Sequence, residues 1–455
     1  MKLRSGHRWS GDSSSMATSD EARVASSIEG ENYANELRVN GMMPKPKINP
    51  ISSGDGDGDK QQRQLSDRSI LMITHFNVFL YALFFWIQNG IMPFLTKKLG
   101  VNTVMYGYLQ TTFATVQLLG GPVFGRFGDI YGSKYALMLA FSSATMTYGI
   151  LALANSVEVL FLSRIFSVFL HVMQGGLMIV TDLSDSSNRA DSIAKLGVSY
   201  GLGFTVGPSI GGLIASHYSE QTAAFISFLG SLGSIVMIFF TFPTKTKQHD
   251  APLSEAEAIS NRSVFSMFEI LSLLKKPGAP LLLMIKLITG LPAGIFQSMF
   301  AVVAMEKFQL TPATNGYIMS YVGIVGLIMQ GFGVGFLNKR FGEQTMIKIG
   351  IFITMCAYLM LCYVENIWQL AIVLFPLVVG MTIKTVIISS SLTKTVSDAD
   401  TGTMLGMNMA VNSLIRSFSP TVGGILISYY GWIVMGYFGF ICCALTAVYL
   451  WLHRR

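Results

Sequence analysis

The chain has 455 residues, 51% of them hydrophobic and only 13% charged, a balance too apolar for the water-facing surface of a soluble domain of this length. Its net charge of +7 is scattered among loops between apolar runs, which points to membrane topology and away from a nucleic-acid partner. Cys356, Cys362, Cys442 and Cys443 all lie inside apolar runs and suggest no disulfide framework. There is no nucleotide loop, metal-ligand spacing or nucleophile with a placed base, so neither an enzyme nor a cofactor or metal site is expected.

In chain order, residues 1–67 are rich in Ser, Gly, Asp and Arg, include the run Gly54-Asp55-Gly56-Asp57-Gly58-Asp59, and lack apolar periodicity. They read as a disordered cytoplasmic tail, available to cytosolic partners. The first apolar run is long enough to span a bilayer and remain, so no cleaved signal peptide is expected. A spanning helix needs about 20 mostly apolar residues. By that measure spans one to six lie near 69–95, 103–125, 134–154, 157–181, 192–216 and 221–243, and spans seven to twelve near 279–304, 314–337, 345–364, 367–392, 402–428 and 431–452. The expected fold is an all-α membrane protein of twelve transmembrane helices in two six-helix halves, 68–243 and 279–455, joined by a cytoplasmic linker at 244–278. A monomer embedded in the lipid bilayer is the expected assembly.

Basic residues hold loops in the cytoplasm. One alternate set of loops carries, among others, Arg126, Lys134, Arg189, Lys195, Lys245, Lys276, Lys339, Arg340, Lys394, Arg454 and Arg455, whereas the other carries only Lys97, Lys98 and Lys307. Both termini are therefore expected in the cytoplasm. The sequon at Asn261 falls on that side and reads as unused. Whether the membrane is the plasma membrane or an internal one is left open.

The halves echo each other. Gly107-Tyr108 opens a span that ends in Gly125-Arg126-Phe127-Gly128-Asp129-Ile130-Tyr131-Gly132, and Gly316-Tyr317 opens one that ends in Gly335-Phe336-Leu337-Asn338-Lys339-Arg340-Phe341-Gly342. Gly207-Pro208-Ser209-Ile210-Gly211-Gly212 in span five matches Ser419-Pro420-Thr421-Val422-Gly423-Gly424 in span eleven. Such repeats place a substrate site between the halves near the midplane.

These residues resemble the major facilitator superfamily from about residue 69 to the end. Gly125-x-x-x-Asp129-x-x-Gly132-x-Lys134 is similar to its signature between spans two and three. Arg164 and Gly203-x-x-x-Gly207-Pro208-x-x-Gly211-Gly212 are similar to the span-four arginine and the span-five motif of its drug/proton antiporter branch. Gly120–Phe127, Thr181–Ser184 and Asp400–Gly406 resemble the organic-cation-transporter-like branch of solute carrier family twenty-two. The resemblance implies an organic cation or drug exporter exchanging its substrate for protons. It also implies a cytoplasmic latch in which Asp129 faces the start of span eleven at Thr401–Thr403, where unpaired amides favour an anion. Arg126 or Lys134 would pair with Asp182. Gly125 would permit close approach and Gly132 a positive φ. Ile130 and Ser133 stand where the pattern has basic residues, and Lys339 replaces the aspartate in the second half, so a single, thinner latch is expected.

Gly203, Gly207 and Gly211 share a face, and Pro208 bends span five. That pattern fits close packing as well as it fits antiport. The charges inside the spans say more. Arg164, Lys286, Lys384 and Arg416 are cations, with His75 and His171 beside them and no Asp or Glu well inside any span. Charge at mid-bilayer is costly and usually faces a cavity or partner, so four cations point to an anionic or acidic amphiphilic solute, contrary to the cation that the resemblance implies. Lys286 and Lys384 lie toward the cytoplasmic ends, where snorkelling is an equal reading. With no buried carboxylate, the histidines are the candidates for proton coupling. His171 follows Arg164 by seven residues, which on a continuous helix places both on one face. Gln110 and Gln117 share a face of span two and line the cavity or bond neighbouring helices. Phe84, Phe85 and Trp86 read as packing. The leading reading is a proton-linked carrier of small organic solutes. A carrier fold retained as a non-transporting sensor or scaffold is the reading from another class.

Overall fold

Inside hydrocarbon every backbone N–H and C=O must be satisfied within the protein, which leaves helices for a chain of this pattern. The computed structural model describes residues 67–184, 189–243, 278–396 and 401–452. The expectations for the tail before residue 67, the linker 244–277, the sequon at Asn261, Asp400, Arg454 and Arg455 fall outside the described residues. Among those described there are fourteen α-helices and no strand: α1 Asp67–Lys98, α2 Thr103–Tyr131, α3 Ser133–Ala152, α4 Val157–Ile165, α5 Val172–Leu183, α6 Arg189–His217, α7 Glu220–Thr241, α8 Ala279–Phe308, α9 Pro312–Ile328, α10 Val334–Phe341, α11 Glu343–Cys362, α12 Ile367–Thr393, α13 Thr401–Tyr430 and α14 Ile433–Leu452.

Ten helical stretches among the described residues are long and apolar enough to cross a membrane, with α4 joined to α5 and α9 to α10. The two further helices, α2 with 29 residues and α13 with 30, have the length but not the apolarity. Gln110, Thr111, Thr112 and Gln117 interrupt the first, and Asn408, Asn412, Ser413, Arg416, Ser417 and Ser419 the second. Their polarity has a structural reason: α2 and α13 pack against each other.

Side chains fix the helix starts that follow short loops. Asn102 Oδ1 accepts from Met105 N at 2.8 Å, Ser219 Oγ from Thr222 N at 3.0 Å, and Asn366 Oδ1 from Gln369 N at 3.0 Å, each satisfying an amide with no partner inside its own helix. Span four departs from the expected continuous helix. Phe166–Phe169 tightens into a 3-10 turn, and Leu170 and His171 then leave helical geometry at φ −74°, ψ 64° and φ −120°, ψ 39°. Arg164 and His171 therefore do not share a helix face. Span eight widens instead, with a π turn at Met329–Gly333, a distortion often found at functional sites.

Within residues 67–243, α1 packs on α6 and α7, and α3 on α7; within residues 278–452, α8 packs on α13 and α14, and α11 on α12 and α14. Helices α2 with α13 and α6 with α9 join the two sets. The glycines at 203, 207 and 211 all face α1. A Cβ on Gly207 would stand 2.7 Å from the Leu83 carbonyl oxygen and 2.9 Å from Trp86 Cβ, closer than any side chain tolerates. Replacing Gly207 by Ala is expected to destabilise the protein by about 1–3 kcal/mol, read as a lower melting midpoint of the purified protein. Gly233→Ala, with nothing within 4 Å of the new atom, is the control and is expected to leave the midpoint unchanged or raise it.

Candidate functional site at the helix interface

The contact of α2 with α13 and of α6 with α9 is zipped from one end. Gly107 meets Pro420 and Gly424 backbone to backbone, and Thr111 Oγ1 and Thr421 Oγ1 share a hydrogen bond of 2.8 Å. On the other pair, Ser216 Oγ accepts from Ala313 N at 3.0 Å and Ser209 Oγ donates to Ser320 Oγ at 2.6 Å. Asn315 Nδ2 adds a bond of 3.2 Å to the Gly90 carbonyl of α1. Among the described residues, the hydrogen bonds joining α2 to α13 stop at Arg416 Nη2 and Gln117 Oε1, 3.3 Å apart. Past that pair Val123 and Ile130 on α2 and Leu405 and Met409 on α13 are exposed.

Gln117 makes three contacts at this last rung. Besides accepting from Arg416, it donates through Nε2 to the Leu170 carbonyl at 3.3 Å, and its own carbonyl lies 3.1 Å from His171 Nε2. The Leu170 carbonyl is accessible to Gln117 because span four breaks there. The break thus brings Arg416, Gln117 and His171 together, and the charge of Arg416 acts on His171. His171 also opens α5, whose first amides lack helical acceptors and carry the positive end of the helix dipole.

Arg416 also acts on Tyr81 and Tyr200, which belong to an aromatic wall. Tyr81 and Tyr200 stand 6.3 Å apart, Phe85 and Phe113 6.0 Å, and Trp86 and Phe204 4.2 Å, and Trp86 Nε1 donates to Tyr200 Oη at 3.2 Å. This wall is absent from the sequence reading, which treated Phe85 and Trp86 as packing. The spacing that marks it is i, i+4 on two helices, Tyr81 with Phe85 and Tyr200 with Phe204, and it becomes informative only once α1 and α6 are known to be neighbours. Gln110 Nε2 donates to Tyr106 Oη within α2 at 2.9 Å and, among the described residues, makes no hydrogen bond to α13. His75 meets Ser199 Oγ at 3.3 Å between α1 and α6.

The other cations lie inside helix packing. Lys286 and Lys384 are 7% and 2% exposed, so neither snorkels. Lys286 Nζ bonds the side-chain and backbone oxygens of Asn408 on α13, and Lys384 Nζ donates to the Thr289 carbonyl of α8 at 3.1 Å. The two lysines thereby tie α8, α12 and α13. Arg164 is enclosed by residues of α1, α2, α3 and the broken span. Of the four cations only Arg416 is exposed, because the others lie where helices pack side by side.

At the turn after α2, Gly132 takes φ 90° and ψ 164°, and Gly342 repeats it at φ 75° and ψ 158°. The expected pairing of Arg126 or Lys134 with Asp182 is replaced. Ser133 Oγ donates to Asp182 Oδ2 at 2.5 Å, and Lys134 Nζ reaches the carbonyls of Phe239 and Phe242 at 3.0 and 2.6 Å, closing the end of α7. In this arrangement the helix C-terminus outcompetes a carboxylate for the ammonium, since its carbonyls have no helical donors. Arg126 and Asp129 are exposed, and the Asp129 carboxylate has no partner among the described residues. The side chains of Thr401–Thr403, its expected partner, lie outside those described. Gly125 faces Gln174, whose Nε2 would stand 3.3 Å from an added Cβ. Sequence reading also missed Glu343, the counterpart of Ser133, which accepts from Ser391 Oγ at 2.9 Å and from Lys394 Nζ.

The family model described as Major Facilitator Superfamily matches residues 74–383 and 282–455. Solute carrier family 22 member 18 of Rattus norvegicus is 34% identical over 392 residues, 85% of this chain and 94% of that protein. Multidrug resistance protein 1 of Bacillus subtilis is 23% identical over 358 residues, 78% of this chain and 89% of that one. Among solved structures, the human organic anion transporter MFSD10 (TETRAN) superposes with a TM-score of 0.60 at 18% identity, over 85% of this chain and 100% of that chain.

The contrast between Arg416 and the buried cations is measurable. With Cys356, Cys362, Cys442 and Cys443 replaced, a cysteine introduced by Arg416→Cys should react with a water-soluble thiol reagent at least about tenfold faster than one introduced by Lys384→Cys. Equal rates would contradict the different exposure of the two positions.

Proposed function

Because the chain belongs to the Major Facilitator Superfamily, we propose that it is a secondary active transporter of small organic solutes. Two six-helix halves, 68–243 and 279–455, rock about the contacts of α2 with α13 and α6 with α9, opening a shared site alternately to each side. The zipped ends adjoin the loops poor in basic residues, which supports a reading in which the open side faces the cytoplasm.

The substrate reading rests on one observation: Arg416 is the mid-span cation exposed at the interface, held by Gln117 at 3.3 Å. Among the described residues, every Asp and Glu stands at or near a helix end. A guanidinium in such surroundings attracts a carboxylate, sulfonate or phosphate and binds it through paired donors. The aromatic wall beside it supplies apolar surface, so the favoured solute is an acidic amphiphile. His171, bonded to the same Gln117, is the titratable group for proton exchange. A carboxylate arriving at Arg416 and a proton arriving at His171 act on one hydrogen-bonded unit, which is what antiport requires.

A second reading, an organic cation or drug exporter, draws on the same aromatic wall, since ring faces also bind cations. The drug-resistance name carried by the Bacillus subtilis relative favours it. Counterflow in proteoliposomes separates the two readings. Arg416→Ala should lower counterflow of anionic solutes on the order of tenfold, the effect of about 1.4 kcal/mol from one charged hydrogen bond, and leave neutral solutes unaffected. An equal fall for anionic, neutral and cationic solutes would sink the anion reading. His171→Gln should abolish accumulation driven by an imposed pH gradient while counterflow persists. Gradient-driven accumulation that survives in this variant would remove His171 from the coupling.

A further inference from the structure

Among the described residues, Arg164 has no ion-pair partner. The side chain is 8% exposed, its Nη2 donates to the thioether sulfur of Met92 at 3.3 Å, its guanidinium carbon stands 5.3 Å over the Phe113 ring, and its Nε has no partner. A thioether is a weak acceptor. Two neighbours share the condition. Both polar atoms of the Gln88 amide and the hydroxyl of Tyr148 are buried without a hydrogen bond, on side chains 4% and 2% exposed. Phe85, Asn89, Phe113, Thr147 and Leu170 complete the wall of the small cavity these groups share. The Thr147 hydroxyl is already committed to the Ser143 carbonyl at 2.8 Å, and no Asp or Glu lines the cavity.

Orphaned buried polar groups are rare, and several facing one cavity call for a common partner. The space open to a water-sized guest is about 10 Å³, room for one water or one small ion and too little for a whole organic solute. Lys286 and Lys384 are bonded to protein oxygens, whereas Arg164 has only a thioether acceptor, and an anion in the cavity would supply both an acceptor and the missing charge where water supplies the first alone. The unspent groups are chiefly donors: Arg164 Nε–H, the Gln88 amide N–H₂ and the Tyr148 O–H. Donors converging from three helices on a monatomic space suit a monatomic anion.

We propose that this cavity is a halide site, with chloride held by Arg164, Gln88 and Tyr148. It lies among α1, α2, α3 and the first part of span four, apart from the Arg416 contact with Gln117. The ion joins α1 and α3 to α4 immediately before the 3-10 turn, and Leu170, which lines the cavity, offers its carbonyl to Gln117. Halide occupancy thereby fixes the half of span four against which the broken segment hinges.

The test is thermal unfolding of the purified full chain while chloride replaces gluconate at constant ionic strength. A saturable rise of the melting midpoint on the order of a few degrees is expected near a hundredfold excess over the dissociation constant. Bromide should substitute for chloride and the larger sulfate should not. Arg164→Gln should lose the rise, whereas Arg416→Ala should keep it. Should Arg164→Gln fail to fold, Tyr148→Phe and Gln88→Leu serve instead, each raising the chloride concentration for half effect by about tenfold. Crystals grown in bromide should show an anomalous peak beside Arg164. Absence of any chloride response would leave water only in the cavity and overturn the proposal. A response unchanged in the Arg164, Tyr148 and Gln88 variants, or lost in Arg416→Ala alone, would place the anion elsewhere and overturn it equally.

Discussion

The close approach of α6 to its neighbours on two faces governs the rest of the arrangement. On one face Gly203, Gly207 and Gly211 bring backbone against the Phe79–Ile87 stretch of α1; on the other, Pro208, Ser209 and Gly212 meet the start of α9 at Pro312, Ala313 and Gly316. In lipid, helices gain little from hydrophobicity and associate through such dense packing. The two faces differ in kind. Against α1 the glycine backbone contact is flanked by interlocked aromatic side chains, Trp86 lying 4.2 Å from Phe204 and donating to Tyr200 Oη at 3.2 Å, which suits a lasting joint. Against α9 it includes hydroxyls, Ser209 to Ser320 at 2.6 Å and Ser216 to the Ala313 amide at 3.0 Å, whose bonds water or other partners can replace when the contact parts.

The same division explains which parts of the fold were legible in the sequence. Ten of the expected spans are legible from length and hydropathy, because a bilayer sets both, whereas α2 and α13 have the length without the apolarity. The positive φ of Gly132 follows from local chemistry. The break in span four was not legible. No proline or glycine lies between Ile165 and His171, and the turn is held by partners remote in sequence: Ser143 Oγ on the Phe166 carbonyl at 2.5 Å and Gln117 on that of Leu170. Periodicity assumes a continuous helix, so it joined Arg164 to His171 on one face where the structure separates them. The residues that meet at Gln117 come from α2, the break before α5, and α13, and no single-helix pattern could have grouped them.

Charge in the spans was legible as a kind of residue but not as a location. All four cations break apolar runs, yet their surroundings diverge. Lys286 and Lys384 are absorbed by neutral oxygens of the second half, Arg164 is shut into the first, and Arg416 meets the contact between them. An ammonium bonded to a carbonyl or an amide oxygen is satisfied as a donor without an acidic partner, which lets two lysines serve as ties between α8, α12 and α13. A guanidinium has five donors in a fixed fork and is harder to satisfy that way. This is why the two arginines are the ones left with unspent hydrogen-bonding capacity.

The turns at Gly132 and Gly342 carry the comparison between the halves one step further. Both begin a helix from a glycine at positive φ, and both tie the first residue of that helix to the end of the next span: Ser133 to Asp182 in one case, Glu343 to Ser391 and Lys394 in the other. Hydroxyl and carboxylate have exchanged places while the tie is kept. With Asp182 accepting from Ser133 and Lys134 bound to the end of α7, neither holds Asp129. Its carboxylate is exposed at the end of α2, past the last hydrogen bond to α13. An anion so placed has no work in a state where that contact is open. We propose that a latch at this turn engages when the ends of α2 and α13 approach.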